Sequence, residues 1–583
     1  MTQIQSNRKN KIRNSLILLL SILGIITCIA LFFPQTRLLI MDLVEKIIHR
    51  KISNYQLWFD YFKTLAIGGI FFIVLFDYFI LTNSGRMLVN NVKQEIADCL
   101  TEIDFRSLRK PILLMLGVYF LGILTIIRAN FFYHDDISHA LNGYIDWHTW
   151  SRYVTVLSAI FIYGDINLTD ISPVPQLLAI LFLSCSSVLL VFILGKGKIT
   201  TVRLLASIPL GLSPFFLQCL SYKFDAYYMA LSMLVSIVPF LFITRRKAFL
   251  FISIVSLLVM CMTYQVSSGI YPVIVIILCF QDWNSRKKTD KEILSFLGMA
   301  AVAYCFSILI FRFFIMKSFE SDGFYTSTKI HSITHFIPNV LDNIKEYTMT
   351  VNQDLGIIWK IGIVFITVFF IIKSVCLSSR KKILSFIISI LVIGLSFILS
   401  YGLYLLLAKP LYAPRHLFGF GVFLAILCVF IVSDYKKSAT IVVLALNWCF
   451  FVFAFSYGNA LADQARYAEF RIGILLNDLS VLFPEQNKED MLLQFQNSID
   501  YTPTIMNISK HYPIIEELVP KRFGNSGSYF DFSYFLDNFN YNRMKLDLMP
   551  LIDYNTMDLP VVLDSYYHTI KSDGEYILVE LKH

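Results

Sequence analysis

The sequence predicts an all-α polytopic membrane protein of about thirteen transmembrane helices, ending in a small mixed α/β domain outside the cytoplasm. Three observations carry this reading. Apolar residues make up 56% of the 583 and charged residues 16%, against ~45–50% and ~25% in soluble domains. The apolar excess is gathered in runs of about 20 residues, long enough to cross a ~30 Å hydrocarbon core as helices. The charge is also split. Residues 1–457 hold 40 Lys and Arg against 23 Asp and Glu, while residues 458–583 hold 10 against 18. A basic membrane domain, 1–457, is therefore followed by an acidic domain, 458–583, that has no apolar span.

The runs lie near 14–33, 61–81, 111–132, 174–194, 202–220, 226–244, 248–264, 267–281, 293–315, 357–375, 383–407, 417–433 and 439–456. The first follows a basic start, as in a signal peptide. It is long for one and lacks a small-x-small cleavage site, so it reads as an uncleaved span. The 267–281 run is short, and a re-entrant segment is its alternative reading. Alternate loops are basic: Arg8–Arg13, Arg86–Lys110, Lys196–Arg203, Arg245–Lys247, Arg286–Lys291, Arg380–Lys382 and Lys436–Lys437. The positive-inside rule places all of them, and the N-terminus, in the cytoplasm. Lys46, Arg50 and Lys51 fall on the opposite side, in a 34–60 loop whose pattern fits an amphipathic interfacial helix. The basic excess sits in short loops, where topology explains it, so it does not call for nucleic acid.

The ten cysteines all precede residue 450, with no CxxC among them, which gives disulfide and zinc readings little support. The acidic tail reads as a helix over 460–482, then a terminal hairpin turning at Ser572-Asp573-Gly574. Its aromatic stretch at 528–542 suits gripping a glycan or packing over a site. No Walker A and no GxGxxG motif occurs, so the cytoplasmic side lacks machinery for ATP or a nucleotide-sugar.

The chemistry is concentrated in the outward loops. Residues 131–152, FFYHDDISHALNGYIDWHTWSR, place Asp135 and Asp136 at a membrane exit, near His134, His139, His148 and Arg152. Ile137, Leu141 and Tyr144 at helical spacing predict a short helix on the membrane surface. One aspartate suits its N-cap. Adjacent side chains diverge, so a single active carboxylate is expected rather than a two-acid pair. Lys223 and Asp225 in SYKFDAYY, Tyr264 and Gln265 in MTYQVSSG, and Arg415 and His416 in YAPRHLFG are polar positions at the ends of apolar runs. Such residues usually face a bundle interior or a cavity. The bland readings are interfacial snorkelling for Lys223 and Arg415, a Lys223–Asp225 ion pair, and interhelical hydrogen bonds for Tyr264 and Gln265. Together these loops offer one base, several cations and many aromatics, which suits a lipid-phosphate-linked substrate and a polar acceptor.

The blocks FFYHDDISHALNGYIDWHTWSR, DISPVPQLLAI, PFFLQCLSYKFDAYYMALS, MTYQVSSGIY, YAPRHLFG and YGNALADQARYAEFRIGILLNDL resemble the GtrII family of bacterial serotype-converting glucosyltransferases. The resemblance runs from about residue 110 onward and is thin over 34–104. One departure is His139, where the family pattern is expected to carry arginine. The resemblance implies a GT-C-type membrane fold and a sugar, by family default glucose, taken from an undecaprenyl-phosphate carrier. It implies transfer to O-antigen or another surface glycan on the outer side, with an acidic residue of the first large outer loop as base. By position that is Asp135 or Asp136, with Asp135 favoured. Direct, inverting displacement is the expected mechanism, with some of Arg152, Lys223 and Arg415 holding the departing phosphate, while Asp225, Tyr264, Gln265 and His416 complete the binding site. No cofactor is required by these residues, and a divalent cation, Mg²⁺ or Mn²⁺, is left open. The alternatives are a flippase of lipid-linked sugar, whose charges should lie mid-membrane on broken helices in related halves, and a surface-glycan polymerase. A membrane-anchored binding protein is the remaining rival, and thirteen spans would be a strange anchor for one.

Overall fold

The computed structural model describes residues 2–48, 55–316, 330, 335–432, 437–484, 492–523, 531, 533–537, 539, 541, 545–546 and 554–582. Arg50, Lys51, Lys436 and much of the 528–542 aromatic stretch lie outside the described residues.

The chain opens with α1 (Thr2–Ala30), α2 (Pro34–Ile48), α3 (Tyr55–Leu81), α4 (Asn83–Glu102) and α5 (Phe105–Ala129). Then come two short helices, α6 (His134–Asn142) and α7 (Tyr153–Tyr163), and the apolar α8 (Val174–Leu194). The next run is broken into α9 (Thr201–Ala206), α10 (Pro209–Leu212) and α11 (Pro214–Ser221). The remaining helices before the tail are α12 (Ala226–Ile237), α13 (Arg246–Cys261), α14 (Ile270–Asn284), α15 (Asp290–Ile310), α16 (Phe336–Asp354), α17 (Ile357–Cys376), α18 (Lys382–Leu399), α19 (Gly419–Val432) and α20 (Lys437–Leu482).

Every run read from the sequence contains helix, but not every run makes a full span. Among the described residues eight helices are long and apolar enough to cross a membrane, or ten if two bent pairs each count as one. One such pair is Thr201–Leu212 with Pro214–Ser221, bent by 63°. Pro209 and Pro214 lack the N–H that helix continuation needs, and Ser213 between them is extended. The break is tolerated because Phe215, Phe216 and Leu217 are fully buried in protein, where irregular backbone at membrane depth can find partners. Helix 153–163, with Ala226–Phe242 and Gly419–Val432, is apolar but shorter than a span. The 34–60 region holds α2, whose Leu38, Leu39 and Leu43 are exposed while Arg37 and Met41 are buried.

The last span runs without interruption into the tail. Helix α20 has 46 residues, about 69 Å at 1.5 Å per residue, so the change of composition near 457 falls inside one helix. Gly458 lets α20 approach α5, since a Cβ there would sit 2.4 Å from Thr125 Oγ1 and 2.6 Å from the Ile126 nitrogen. Beyond α20 lie β1 (Leu492–Gln496), α21 (Pro503–His511), α22 (Ile515–Leu518), β2 (Lys545–Leu546), β3 (Val561–Asp564), β4 (His568–Ser572) and β5 (Tyr576–Leu581). The sheet order is β2-β1-β5-β4-β3, parallel at β1–β5 and antiparallel at β4–β5. The expected hairpin is β4–β5, with Gly574 at φ +100° in its turn. Two cores follow from this arrangement. The sheet packs on the end of α20 through Ile472, Leu475 and Leu479. Ile505, Ile514, Ile515, Leu518 and Val519 instead join the core of the membrane helices.

Candidate active site

One cavity of about 540 Å³ gathers most of the residues singled out in the sequence. Its polar lining includes Asp135, Asp146, Arg152, Asp225, Tyr264, Gln265, Arg312, Arg415 and His416. An apolar wall comes from the end of α15 and the 403–411 segment, including Ile308, Phe311, Met316, Leu403, Leu407 and Leu411. The volume falls within the ~300–1,000 Å³ typical of small-molecule sites.

The two adjacent aspartates separate, as successive side chains on a helix must. Asp135 lines the cavity and makes no hydrogen bond or ion pair among the described residues. Asp136 is fully buried behind it. Asp136 is the third residue of α6 rather than its N-cap. Its Oδ2 accepts the Tyr133 N–H at 3.1 Å and its Oδ1 accepts the Phe224 N–H at 3.1 Å. It thereby closes the first turn of α6 and ties that turn to the segment before α12. Burial pushes its carboxyl up to about 8, with nearby Asp225 adding to the rise and the backbone N–H groups opposing it. The expected surface helix ends at Gly143, at φ +66°. Its Ile137 is buried in protein, and Tyr144 lies past the helix end and is exposed, so α6 is built into the bundle mouth rather than laid on a lipid face.

Asp225 stands at the N-cap of α12 and is 3% exposed. The Trp147 indole N–H donates to its Oδ1 at 3.1 Å. His139 Nε2 is 3.9 Å from the same oxygen, while His139 Nδ1 faces the Tyr144 carbonyl at 3.0 Å. Burial raises the Asp225 carboxyl to about 6, against the pull of His139. Burial disfavours a charged His139, but Asp225 and then Asp146, Asp135 and Asp136 outweigh it and raise its pKa. His139 therefore puts a basic side chain at the cavity, aimed at an acid.

Three guanidiniums line the same cavity. Arg152 donates from Nη1 to the Tyr228 hydroxyl at 3.1 Å and stacks over Tyr264, with Cζ 4.8 Å from the ring centroid. Its buried Nε has no acceptor. Arg415 lies over the Tyr222 ring at 5.1 Å, and its backbone N–H is held by Gln218 Oε1 at 2.7 Å. Arg312 sits in a π-helical turn, Phe311–Ile315, at the end of α15, and among the described residues its side chain hydrogen-bonds only the Met316 sulfur, at 3.7 Å. Such turns inside helices recur at functional sites. Among the described residues none of these three guanidiniums has a carboxylate within ion-pair distance. His416 is buried with Nδ1 unpartnered, and burial, then Arg415 and Arg152, hold its pKa well below the ordinary value. Tyr264 reaches the Arg415 carbonyl at 3.5 Å, and Gln265 donates to the Trp150 carbonyl at 3.1 Å.

Lys223 is the exception among the expected cations. It is 2% exposed, is not among the residues lining this cavity, and pairs with Asp170 at 2.8 Å. Its ammonium lies 3.5 Å from the Phe132 ring centroid. The local Lys223–Asp225 pair is not formed. Against the cost of burial, Lys223 and Ser172 hold the Asp170 carboxyl below its usual range. Arg312, Tyr228 and Asp146 are lining residues that the sequence reading does not single out. For Arg312 a signal exists, an arginine inside the apolar run FRFFIM. Among the described residues no group of three His, Cys, Asp or Glu side chains could hold a metal ion.

The model of the family "Glucosyl transferase GtrII" matches residues 124–432, more than half of the chain. That stretch contains every lining residue named above. A protein of Salmonella phage P22, described as an uncharacterized 55.3 kDa protein in the gtrB 5′ region, is 24% identical over 436 residues, covering 71% of this chain and 87% of its own length. No solved structure matches. The chain belongs to the GtrII glucosyltransferase family.

Proposed function

We propose that this membrane glycosyltransferase moves glucose from an undecaprenyl-phosphate carrier to a hydroxyl of O-antigen or a similar surface glycan. The cavity is the observation that supports this reading best. It sets a carboxylate, Asp135, in one space with three guanidiniums, none of the four paired with an opposite charge among the described residues, beside an apolar wall. The reaction is a direct displacement with inversion. Asp135 takes the acceptor hydroxyl's proton as the acceptor oxygen bonds to the sugar C1. The bond from C1 to the phosphate oxygen breaks, and its electron pair leaves with the polyprenyl phosphate. Arg152, Arg415 and Arg312 meet the charge on that phosphate, and fixed cations in a partly dry site are strong stabilisers of developing negative charge. A second acid is then unnecessary. Trp147, Trp150 and Tyr228 offer aromatic faces to the sugar, and the apolar wall suits the first isoprene units. The basic loops support an N-terminus in the cytoplasm, with the cavity and tail on the outer side of what the family reading makes a bacterial inner membrane.

The test is purified protein in liposomes supplied with undecaprenyl-phosphate glucose and acceptor glycan. Glucosylated acceptor with an anomeric configuration opposite to the donor's is expected. Movement of donor between leaflets without product would favour a flippase, and lengthened glycan chains a polymerase; either would overturn the proposal.

A further inference from the structure

The segment leading into Asp135 is gripped by the C-terminal domain. Arg522, just after the α22 region, is nearly fully buried, with its side chain 3% exposed. Its Nη1 donates to Asp531 Oδ1 at 2.8 Å, and its Nη2 donates to the Phe132 carbonyl at 2.9 Å. The guanidinium also lies over the Phe131 ring, 4.2 Å from its centroid. Asp531 is itself fully buried and accepts the Phe523 N–H at 2.7 Å through its other oxygen. The Phe132 ring packs 5.2 Å from that of Tyr534. The Tyr133 hydroxyl donates to the Leu518 carbonyl and meets the Tyr457 hydroxyl at 2.8 Å.

Three consecutive residues, 131–133, are thus held by the tail through a ring, a carbonyl and a hydroxyl. The next link is the Tyr133 N–H, which is bound by Asp136. Asp136 in turn holds the Phe224 N–H, one residue before Asp225. The first turn of α6, with Asp135 on it, is therefore fixed from the C-terminal domain on one side and from the start of α12 on the other. A buried Arg–Asp pair contributes little net stability, because desolvation offsets its attraction. A fork that also bonds a backbone carbonyl does fix geometry. Arg471 offers the contrast. It is equally buried in the tail, donates to the Tyr567 and Lys582 carbonyls at 2.6 and 2.8 Å, and makes no hydrogen bond to residues 131–136.

We propose that Arg522 is a positioning residue through which the C-terminal domain sets the Asp135 carboxylate in the cavity, an inference that rests on Asp135 being the base. Displacement of a reacting group by about 1 Å can cost on the order of 10²-fold in rate. The full-length R522Q, R522K and R471Q variants are reconstituted, and kcat and donor KM are measured per folded molecule. R522Q is expected to lower kcat by about 10²-fold with donor KM unchanged, because the cations that hold the phosphate lie on other segments. R522K keeps a charge beside Asp531 but loses the fork to Phe132, and should lose about tenfold in kcat. R471Q is expected to lower thermal stability while leaving kcat intact. Should R522Q not fold, R522K carries the test alone. Wild-type kcat in R522K, or equal losses of kcat in R522K and R471Q, overturns the proposal. If D135N is fully active while R522K still loses kcat with KM intact, the base assignment fails and Arg522 still positions the site.

Discussion

Replacing Arg152 with glutamine measures what the cavity's cations do. Arg152 has no carboxylate within ion-pair distance among the described residues, although its charge helps to hold down the pKa of the buried Asp225. What the protein itself loses is one hydrogen bond, to the Tyr228 hydroxyl, and a stack on Tyr264. Transition-state stabilisation lost beyond these contacts and the field at Asp225 belongs to the ligand. A charge-assisted hydrogen bond to phosphate contributes about 1.5–3 kcal/mol. At about 1.4 kcal/mol per factor of ten, R152Q should lower kcat/KM for undecaprenyl-phosphate glucose by roughly 10- to 150-fold. R152K restores the charge without the planar fork or the stack, and should recover part of the loss. The assay is transfer of labelled glucose in liposomes at a series of donor concentrations. A kcat/KM for R152Q equal to wild type, with the protein folded, would refute the assignment of this side of the cavity to phosphate.

Asp225 gives a pH signature. Its carboxyl is raised to about 6, so it loses its charge, and its hold on a protonated His139, as pH falls through that value. Wild-type kcat/KM should fall below about pH 6, and D225N should lack that limb. The stability contribution has the opposite sign. The folded chain binds a proton that the unfolded chain has released between the ordinary value of 3.8 and about 6, so this group's contribution falls as pH rises through that window. Melting of D225N should accordingly depend less on pH there than melting of wild type. At the α5–α20 crossing, G458V forces a side chain against Thr125 Oγ1 and the Ile126 nitrogen. It should cost about 1–3 kcal/mol in denaturant unfolding, whereas G473A, with nothing near its added Cβ, should cost much less.

Much of the site is legible in the sequence, for a physical reason. Asp135, Arg152, Asp225, Tyr264, Gln265, Arg415 and His416 are polar groups at the ends of apolar runs, and a bilayer leaves such groups few places except a shared cavity. Pairings are less legible. The partner of Lys223 is Asp170, 53 positions earlier, and nothing local distinguishes that pair from the nearer Asp225. Arg312 is marked only as an arginine inside an apolar run, and the π-helical turn that brings it to the cavity has no compositional mark. The helices are marked by their runs, but their lengths depend on breaks such as Pro209-to-Pro214 that only burial makes tolerable. The hairpin at Gly574 follows from local turn chemistry. The parallel pairing of β1 with β5 joins strands some eighty residues apart in the chain and has no local signal. The boundary near 457 is sharp in charge but absent in backbone, since α20 runs straight through it.

The most direct test compares D135N with D136N in the same transfer assay, alongside donor binding and thermal unfolding. Removing a general base typically costs about 10²–10⁴-fold. D135N should therefore lose kcat by that order while keeping its fold and its donor affinity. D136N should lower the melting temperature and, because Asp136 ties down the turn that carries Asp135, lower kcat less than D135N does, as it weakens the links to Tyr133 and Phe224. Full transfer activity in folded D135N would contradict the account.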